Sequence, residues 1–516
     1  MPLNDDAATR IDFYCNNTDG HSSVKPLLDA DLVPRDKYTG DSLPAFRHSD
    51  HISERLAWRK YYQRDKVFTA DRKWAFLLRP VYDFEGGKDL KANRTLYNTT
   101  LGAVLDADYK QKIGVELRFA GGMSVLPNYL DSMAHFSGTM PGWSDRAYPG
   151  GNAQYAFQHF SGNLIWRPSK VFNLQVGRDK HFWGDGYRSL FLSDLSAAYP
   201  YLQQQTTIWK LQYTSMFAWL QDWTNSNYAA KNFRSKFATF HYLSFNAAKW
   251  LNLGVFESVV WQGADENRYR AFDPNYLDPV VFFRPVEYSL GSSDNALLGF
   301  AFKVRFNKNN ILYSQLILDE FYLKEIKNWS AGWWANKQGV QIGYKCYNFC
   351  GVERFFMQAE LNIVRPYTYT HGSPQQNYAN GFLPLAHPLG ANFSELVGIL
   401  SYSVKGFTVT GELVGARYGL DPAGKDYGQD IFISYIDRTK IDGEHTADYG
   451  HKLWDGIATN MFYAEFKASY RFNTAFPLRV ELIAGARSES NVNVTKKSSY
   501  VMAGLSLPLF RTYRDY

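Results

Sequence analysis

Four stretches of the chain carry the residues best suited to chemistry. Residues 177–200, GRDKHFWGDGYRSLFLSDLSAAYP, bring His181, Trp183, Asp185, Arg188 and Asp194 together around Gly184 and Gly186. Aromatic faces beside carboxylates and a guanidinium suit carbohydrate, whose C–H faces stack on rings while hydroxyls take paired hydrogen bonds. The same composition suits a loop folded inward, its charges paired against the elements around it. Residues 278–295 add Arg284 and Glu287, and residues 333–337 place Trp333 and Trp334 beside Asn336. An exposed Trp pair is costly unless it meets ligand, lipid headgroup or another loop, and a membrane-interface position explains it equally well. Residues 365–393, RPYTYTHGSPQQNYANGFLPLAHPLGANF, hold His371 and His387 among four prolines, which favour ordered turns. Metal binding by these histidines is the lesser reading, and neither a metal nor a cofactor is assigned.

No catalytic pattern accompanies these residues. The chain has no G-x-S-x-G elbow, H-E-x-x-H helix or phosphate-binding P-loop. Residues 184–189, GDGYRS, lack the third glycine and the βαβ setting of a dinucleotide loop. The expectation is a protein without turnover.

Something must position these loops, and the composition narrows what. The chain has 516 residues, 17% of them aromatic, with a mean hydropathy of −0.37 and 21% charged residues. No run approaches the roughly 20 apolar residues of a membrane helix. From about residue 74 the hydrophobic period is two. In residues 111–120, Ile113, Val115, Leu117 and Phe119 alternate with Lys112, Glu116 and Arg118. Residues 206–219, 355–363, 461–472 and 500–510 repeat the pattern, each reading as a strand with one apolar and one polar face. About 17 such strands appear, many of 10–13 residues, against roughly 5–6 in ordinary globular sheets. Their length suits tilted crossings of a bilayer.

Connections support this. Tight turns are expected at residues 168–170, 307–310, 405–406 and 473–475, and long loops at about 125–154, 181–205, 262–294, 363–393 and 417–460. Between residues 180 and 295 the strand count requires an inward-folded loop or an extra strand, with 280–290 a candidate. The predicted fold is all-β: a transmembrane antiparallel up-and-down barrel of about 16–18 strands over residues 71–516, its lumen occluded by loops. Residues 1–70 form an irregular arm with a short helix over 50–64. The last strand lies near the end of the chain, followed by the tail 511–516.

The remaining features constrain partners. Lys+Arg 56 against Asp+Glu 50 gives a net charge of +6, spread thinly, with no basic run for nucleic acid. Cys346 and Cys350 lack the second pair of a zinc site, and whether they are bridged stays open. The first residues carry no secretory leader, which leaves a cytoplasmic protein or an exported one whose leader is removed. The barrel pattern favours the second, in the outer membrane of a Gram-negative cell.

The runs GRDKHFWGDGYRSLFLSD, LDPVVFFRPVEYSLGSSDNALLGF, LILDEFYLKEI, GWWANKQGVQIGYK and RPYTYTHGSPQQNYANGFLPLAHPLGANF resemble the RemB-like gliding-motility proteins of Bacteroidota. These are distantly similar to the Wzi capsule-assembly barrels, through the W-G-x-G loop and the barrel pattern. The resemblance covers roughly residues 74–435. It implies an outer-membrane barrel that binds surface polysaccharide or takes part in surface motility and its linked type 9 secretion. It marks His181, Trp183, Gly184, Asp185, Gly186 and Arg188 as a lumen-plugging or ligand-contacting element. Expected partners are outer-membrane lipid, surface polysaccharide, and other outer-membrane or periplasmic proteins. The alternatives are an accessory subunit that docks protein partners and a diffusion channel, the latter requiring an open lumen.

Overall fold

The computed structural model describes residues 12–13, 20–27, 74–110, 112–140, 142–151, 153–224, 233–264, 276, 294–320, 323–439, 447–472, 478–507 and 513–516. Arg284, Glu287, the helix expected over 50–64, the candidate strand 280–290 and the turn 473–475 lie outside these residues.

Among the described residues, eighteen antiparallel strands close a barrel. They are β1 (Trp74–Asp89), β2 (Arg94–Tyr109), β3 (Ile113–Val125), β4 (Gln154–Trp166), β5 (Phe172–Asp179), β6 (Tyr199–Ile208), β7 (Leu211–Asp222), β8 (Arg234–Ala248) and β9 (Leu251–Gln262). The second half comprises β10 (Asn295–Arg305), β11 (Asn310–Leu318), β12 (Gln338–Cys346), β13 (Phe355–Val364), β14 (Phe393–Val404), β15 (Phe407–Leu420), β16 (Ile457–Arg471), β17 (Arg479–Ser490) and β18 (Thr495–Leu507). Each strand pairs with its sequence neighbours, and β1 closes on β18 from Tyr82↔Leu507 to Asp89↔Tyr500. A short strand, Arg146–Pro149, extends the edge of β4 beyond the reach of β5.

The alternation expected from sequence is the wall of this barrel. On β3, Leu117 and Phe119 are 40% and 58% exposed, whereas Arg118 is buried. On β13 Leu361 faces out, and Gln358, Glu360 and Asn362 face the lumen. On β16 Phe462 and Phe466 face out, while Glu465 and Lys467 take the opposite parity. Apolar side chains standing outward in water would lose their burial energy, about 25 cal/mol per Å². An outer belt of this kind is stable when lipid covers it.

One rim carries short turns, among them 209–210, 249–250 and 405–406. Lys405 and Gly406 both adopt positive φ, 45° and 88°, the twist a two-residue hairpin requires. The other rim carries the connections 126–153, 180–198, 263–294, 319–337, 365–392 and 421–456. Residues 126–153 include helix α1 (Asn128–Ser137), closed by Gly138 in the left-handed conformation.

Two expectations change. The stretch 206–219 is a hairpin, not one strand: Ile208 pairs with Leu211 across a turn at Trp209 and Lys210. Trp209 is 77% exposed at that turn. Nor do all outward aromatics meet lipid. Phe217, Phe237 and Trp261 lie on the outer parity of β7–β9 yet are buried, and Tyr276 from the following connection packs on them.

Candidate functional site

An eighteen-strand barrel is wide enough to hold an aqueous channel unless something fills it. Here the connection 180–198 does. Every residue from Lys180 to Ala198 except Gly186 is buried. Its backbone is held by side chains of the wall. Glu360 on β13 accepts from the Tyr187 N–H at 2.7 Å and the Arg188 N–H at 3.0 Å. Gln315 on β11 accepts from the Leu190 N–H at 2.8 Å, and Gln341 on β12 donates to the Arg188 carbonyl at 3.0 Å. A second connection closes over the first: Tyr369 and Tyr378 donate to the carbonyls of Leu190 and Phe191 at 2.9 and 2.6 Å. Buried backbone groups need such partners, because an unpaired one costs about 1–3 kcal/mol.

The sequence-predicted residues of this stretch take distinct places. Trp183 is wholly buried, its indole edge-on to Phe240, Tyr242 and Phe256. Asp185 accepts from Ser23 at 2.8 Å and from Lys303 at 2.9 Å. Lys303, together with Lys25 and Lys345, holds the Asp185 carboxyl below the usual carboxylate range, against the opposing effect of burial. Arg188 pairs with Glu395 at 3.1 Å and Asp515 at 2.7 Å. Asp194 accepts from the Tyr513 hydroxyl at 2.6 Å. His181 stands edge-on to Tyr201 with ring centroids 4.4 Å apart, and burial lowers its pKa to about 4.

Both ends of the described chain enter the same lumen. Val24 and Lys25 pair with Phe182 and Trp183 as a two-stranded ribbon. The C-terminal residues Tyr513–Tyr516 turn back inward, where Arg514 meets Glu85 at 2.9 Å. The tail thus packs inside the barrel, where the sequence suggested only a strand near the end.

The other candidates sit at the long-connection rim. Trp333 and Trp334 are half-buried and not an exposed pair. The Arg438 guanidinium lies 3.8 Å from the Trp334 ring centroid, and Tyr435 packs on the same indole at 4.8 Å. Asn336 is buried, its carbonyl accepting from Arg365 at 2.8 Å. His371 and His387 are turn-closing groups: each Nδ1 accepts a backbone N–H two residues on, from Ser373 at 3.1 Å and Leu389 at 3.2 Å. The His387 Nε2–H then donates to Glu395 at 2.8 Å. That pattern fixes a neutral tautomer, and burial lowers the pKa of both rings, to about 4 for His371. Among the described residues no group of three potential metal ligands forms. Cys346 and Cys350 are not bridged.

Sequence reasoning did not single out Tyr187, Glu395, Arg438 or Asp515. Glu360 was visible only as one polar-face residue of its strand. A second rim patch was also missed. Arg146 lies over the rings of Phe233, Trp223 and Tyr148 at 4.9, 5.7 and 5.9 Å, beside Phe136 and Phe382. Phe136 and Tyr148 are 57% and 46% exposed.

Among solved structures, the chain is similar to Wzi of Escherichia coli, an outer-membrane protein involved in group 1 capsule assembly and a carbohydrate-binding β-barrel. The likeness covers 99% of each chain at 13% identity, with a TM-score of 0.58. It is also similar to OprD of Pseudomonas aeruginosa, over 84% of this chain and 94% of that one, at 10% identity and a TM-score of 0.44. OccAB2 of Acinetobacter baumannii matches 83% of this chain and 96% of its own, at 9% identity and a TM-score of 0.43. No protein-family model matches the chain, and no curated protein matches it. At these identities the likeness to Wzi is one of fold.

Proposed function

We propose that this chain is a non-enzymatic outer-membrane barrel that binds surface polysaccharide with the loops of its long-connection rim. The observation that carries this reading is the packing of residues 180–198 and the chain's end into the lumen beneath that rim. With residues 180–198 and 513–516 packed inside, recognition falls to the loops, and a diffusion channel is the weaker reading. Two rim patches combine rings and cations: Tyr148 and Phe136, both exposed, with Arg146, and half-buried Trp334 beneath Arg438, whose guanidinium donors are taken by Tyr435, Ala447 and Asp448. Ring faces and guanidinium donors together are what a sugar with equatorial C–H and hydroxyl groups recognises. Within this reading His181, Trp183, Asp185, Arg188 and Asp194 form a plug that holds the loops from below. The fold-level likeness to a carbohydrate-binding barrel supports the same class by analogy.

Binding of the purified barrel to capsular and exopolysaccharide preparations tests this. Tyr148→Ala and Trp334→Ala should each weaken binding about tenfold, the roughly 1–2 kcal/mol of one aromatic contact. Unchanged binding in both variants overturns the reading. Recovery of a fixed protein partner after gentle detergent extraction, with no polysaccharide retained, would favour an accessory subunit of a motility or secretion machine.

A further inference from the structure

The short strand Arg146–Pro149 brings one cation to the long-connection rim and surrounds it with rings. The strand pairs with the edge of β4, Arg146 opposite Gln158 and Tyr148 opposite Ala156. Ala147 between them is buried in the core, so strand alternation turns Arg146 and Tyr148 together away from it. The Arg146 guanidinium lies 4.9 Å from the ring centroid of Phe233, 5.7 Å from that of Trp223 and 5.9 Å from that of Tyr148. Trp223 and Phe233 stack on each other at 4.8 Å, and the Trp223 indole N–H donates to Gln221 at 2.9 Å. Gly381 lies against the same indole, where a Cβ would sit 3.2 Å from the ring.

The neighbouring carboxylates do not compensate this cation. Asp145, the preceding residue, is buried and accepts from Arg178 at 2.8 Å and from the Phe160 and Ala198 N–H groups at 2.9 and 3.0 Å. Asp222, at the end of β7, pairs with Arg234 at 2.7 Å. Each of these carboxylates has its own guanidinium, whereas Arg146 forms no ion pair or side-chain hydrogen bond with the described residues. A guanidinium held by ring faces keeps its in-plane N–H donors for a ligand. Tyr148 and Phe136 stand exposed beside it, and Phe136 continues through Phe382, 5.6 Å away, to Trp223, a further 6.3 Å. Three connections, 126–153, 223–233 and 365–392, thus meet at one half-buried guanidinium.

We infer that this patch takes a carboxylated sugar, a uronate residue of an acidic polysaccharide. Arg146 donates two parallel N–H bonds to the carboxylate, and the C–H face of the same pyranose stacks on Tyr148 or Phe136. Charge complementarity selects this occupant, since a neutral sugar leaves the guanidinium without an anion. The Trp334 patch offers no such place, because Arg438 is already paired with Asp448 at 3.0 Å. The inference rests on the polysaccharide reading above and narrows it to acidic polymers.

The test measures binding of the full chain, in neutral detergent, to alginate, polygalacturonate and hyaluronan. Each polymer is presented beside the same polymer with its carboxylates reduced to alcohols. Wild type should bind at least one acidic form about tenfold better than its reduced form, the least that a charge-assisted pair supplies. Arg146→Gln should bring the acidic form down to the level of the reduced one. Arg146→Lys, which keeps the charge and loses the fork, should keep part of the preference. Lys210→Gln, at the opposite rim, should leave the preference intact and so separates a local site from net charge. Equal binding of acidic and reduced forms by wild type, or a preference surviving Arg146→Gln, overturns the uronate site. Displacement of the uronate polymer by an equal concentration of phosphorylated lipid A would assign the patch to a lipid headgroup and overturn it too. If the uronate polymers are not bound but the capsular preparations are, the uronate site falls and the polysaccharide reading stands; if neither is bound, both fall.

Discussion

Arg188 and Asp515 stand 327 positions apart in the chain and meet in the barrel lumen, Nη2 to Oδ2, at 2.7 Å. Glu395 takes the other side of the same guanidinium at 3.1 Å. Both carboxylates raise the pKa of Arg188 against the effect of burial, so the cation is fixed. A buried ion pair of this kind adds little over a well-packed apolar core, but breaking it leaves charge stranded in a low-dielectric interior. Arg188→Ala should therefore cost about 3–5 kcal/mol, seen as a lower midpoint of thermal unfolding in detergent. Asp515→Asn keeps a polar partner and should cost less, about 1–3 kcal/mol. Equal midpoints for wild type and Arg188→Ala would mean the tail does not brace the plug.

Gly186 lies close against the side chains of the wall. A Cβ there would lie 2.5 Å from Glu360 Oε2 and 2.8 Å from Gln341 Oε1. Those two side chains hold the backbone at Tyr187 and Arg188, so one methyl group displaces two anchors. Gly186→Ala should destabilise the closed lumen by about 1–3 kcal/mol, the usual cost of overpacking. Planar-bilayer recordings should show rare openings in the variant and a silent wild-type barrel. A conducting wild type would contradict the sealed lumen.

Much of the wall was legible in the sequence, because period-two alternation has a direct physical cause: successive strand side chains point to opposite faces. Glu116 against Leu117, and Glu360 against Leu361, show it residue by residue. The hairpin within 206–219 was not legible, since Trp209 and Lys210 lack the glycine or asparagine that marks such turns. The plug's location was expected, whereas its partners were not. Which wall residue meets Arg188 depends on barrel closure, and the pairing of Asp515 with a loop more than 300 residues earlier leaves no local trace. The same holds for Phe217 and Trp261, whose outward parity predicts lipid contact until Tyr276 is seen to cover them.

Acid should loosen the plug while tightening one external loop. His181 is buried in the lumen, and its pKa falls to about 4 from an ordinary 6.5. Between these values the unfolded chain holds a proton that the folded one does not, so stability rises with pH and is lost as pH falls from 6.5 toward 4. Asp426, in the connection 421–456, behaves in the opposite sense. Burial and the neighbouring Asp421, Asp430 and Asp437 raise its pKa to about 7 from 3.8. Between those values the folded state holds the extra proton, so this loop gains stability as pH falls from 7 toward 4. Hydrogen exchange at pH 7.5 and 5 separates the two, once intrinsic rates are divided out. Protection of residues 180–198 should fall on acidification, and that of residues 421–439 should rise. His181→Phe keeps the packing on Tyr201 and removes the proton site, so it should flatten the first response. Asp426→Asn keeps an acceptor for the Gly428 N–H, now 2.7 Å from Oδ1, and should flatten the second. A plug response that survives His181→Phe in full would assign the acid sensitivity to other buried histidines such as His21.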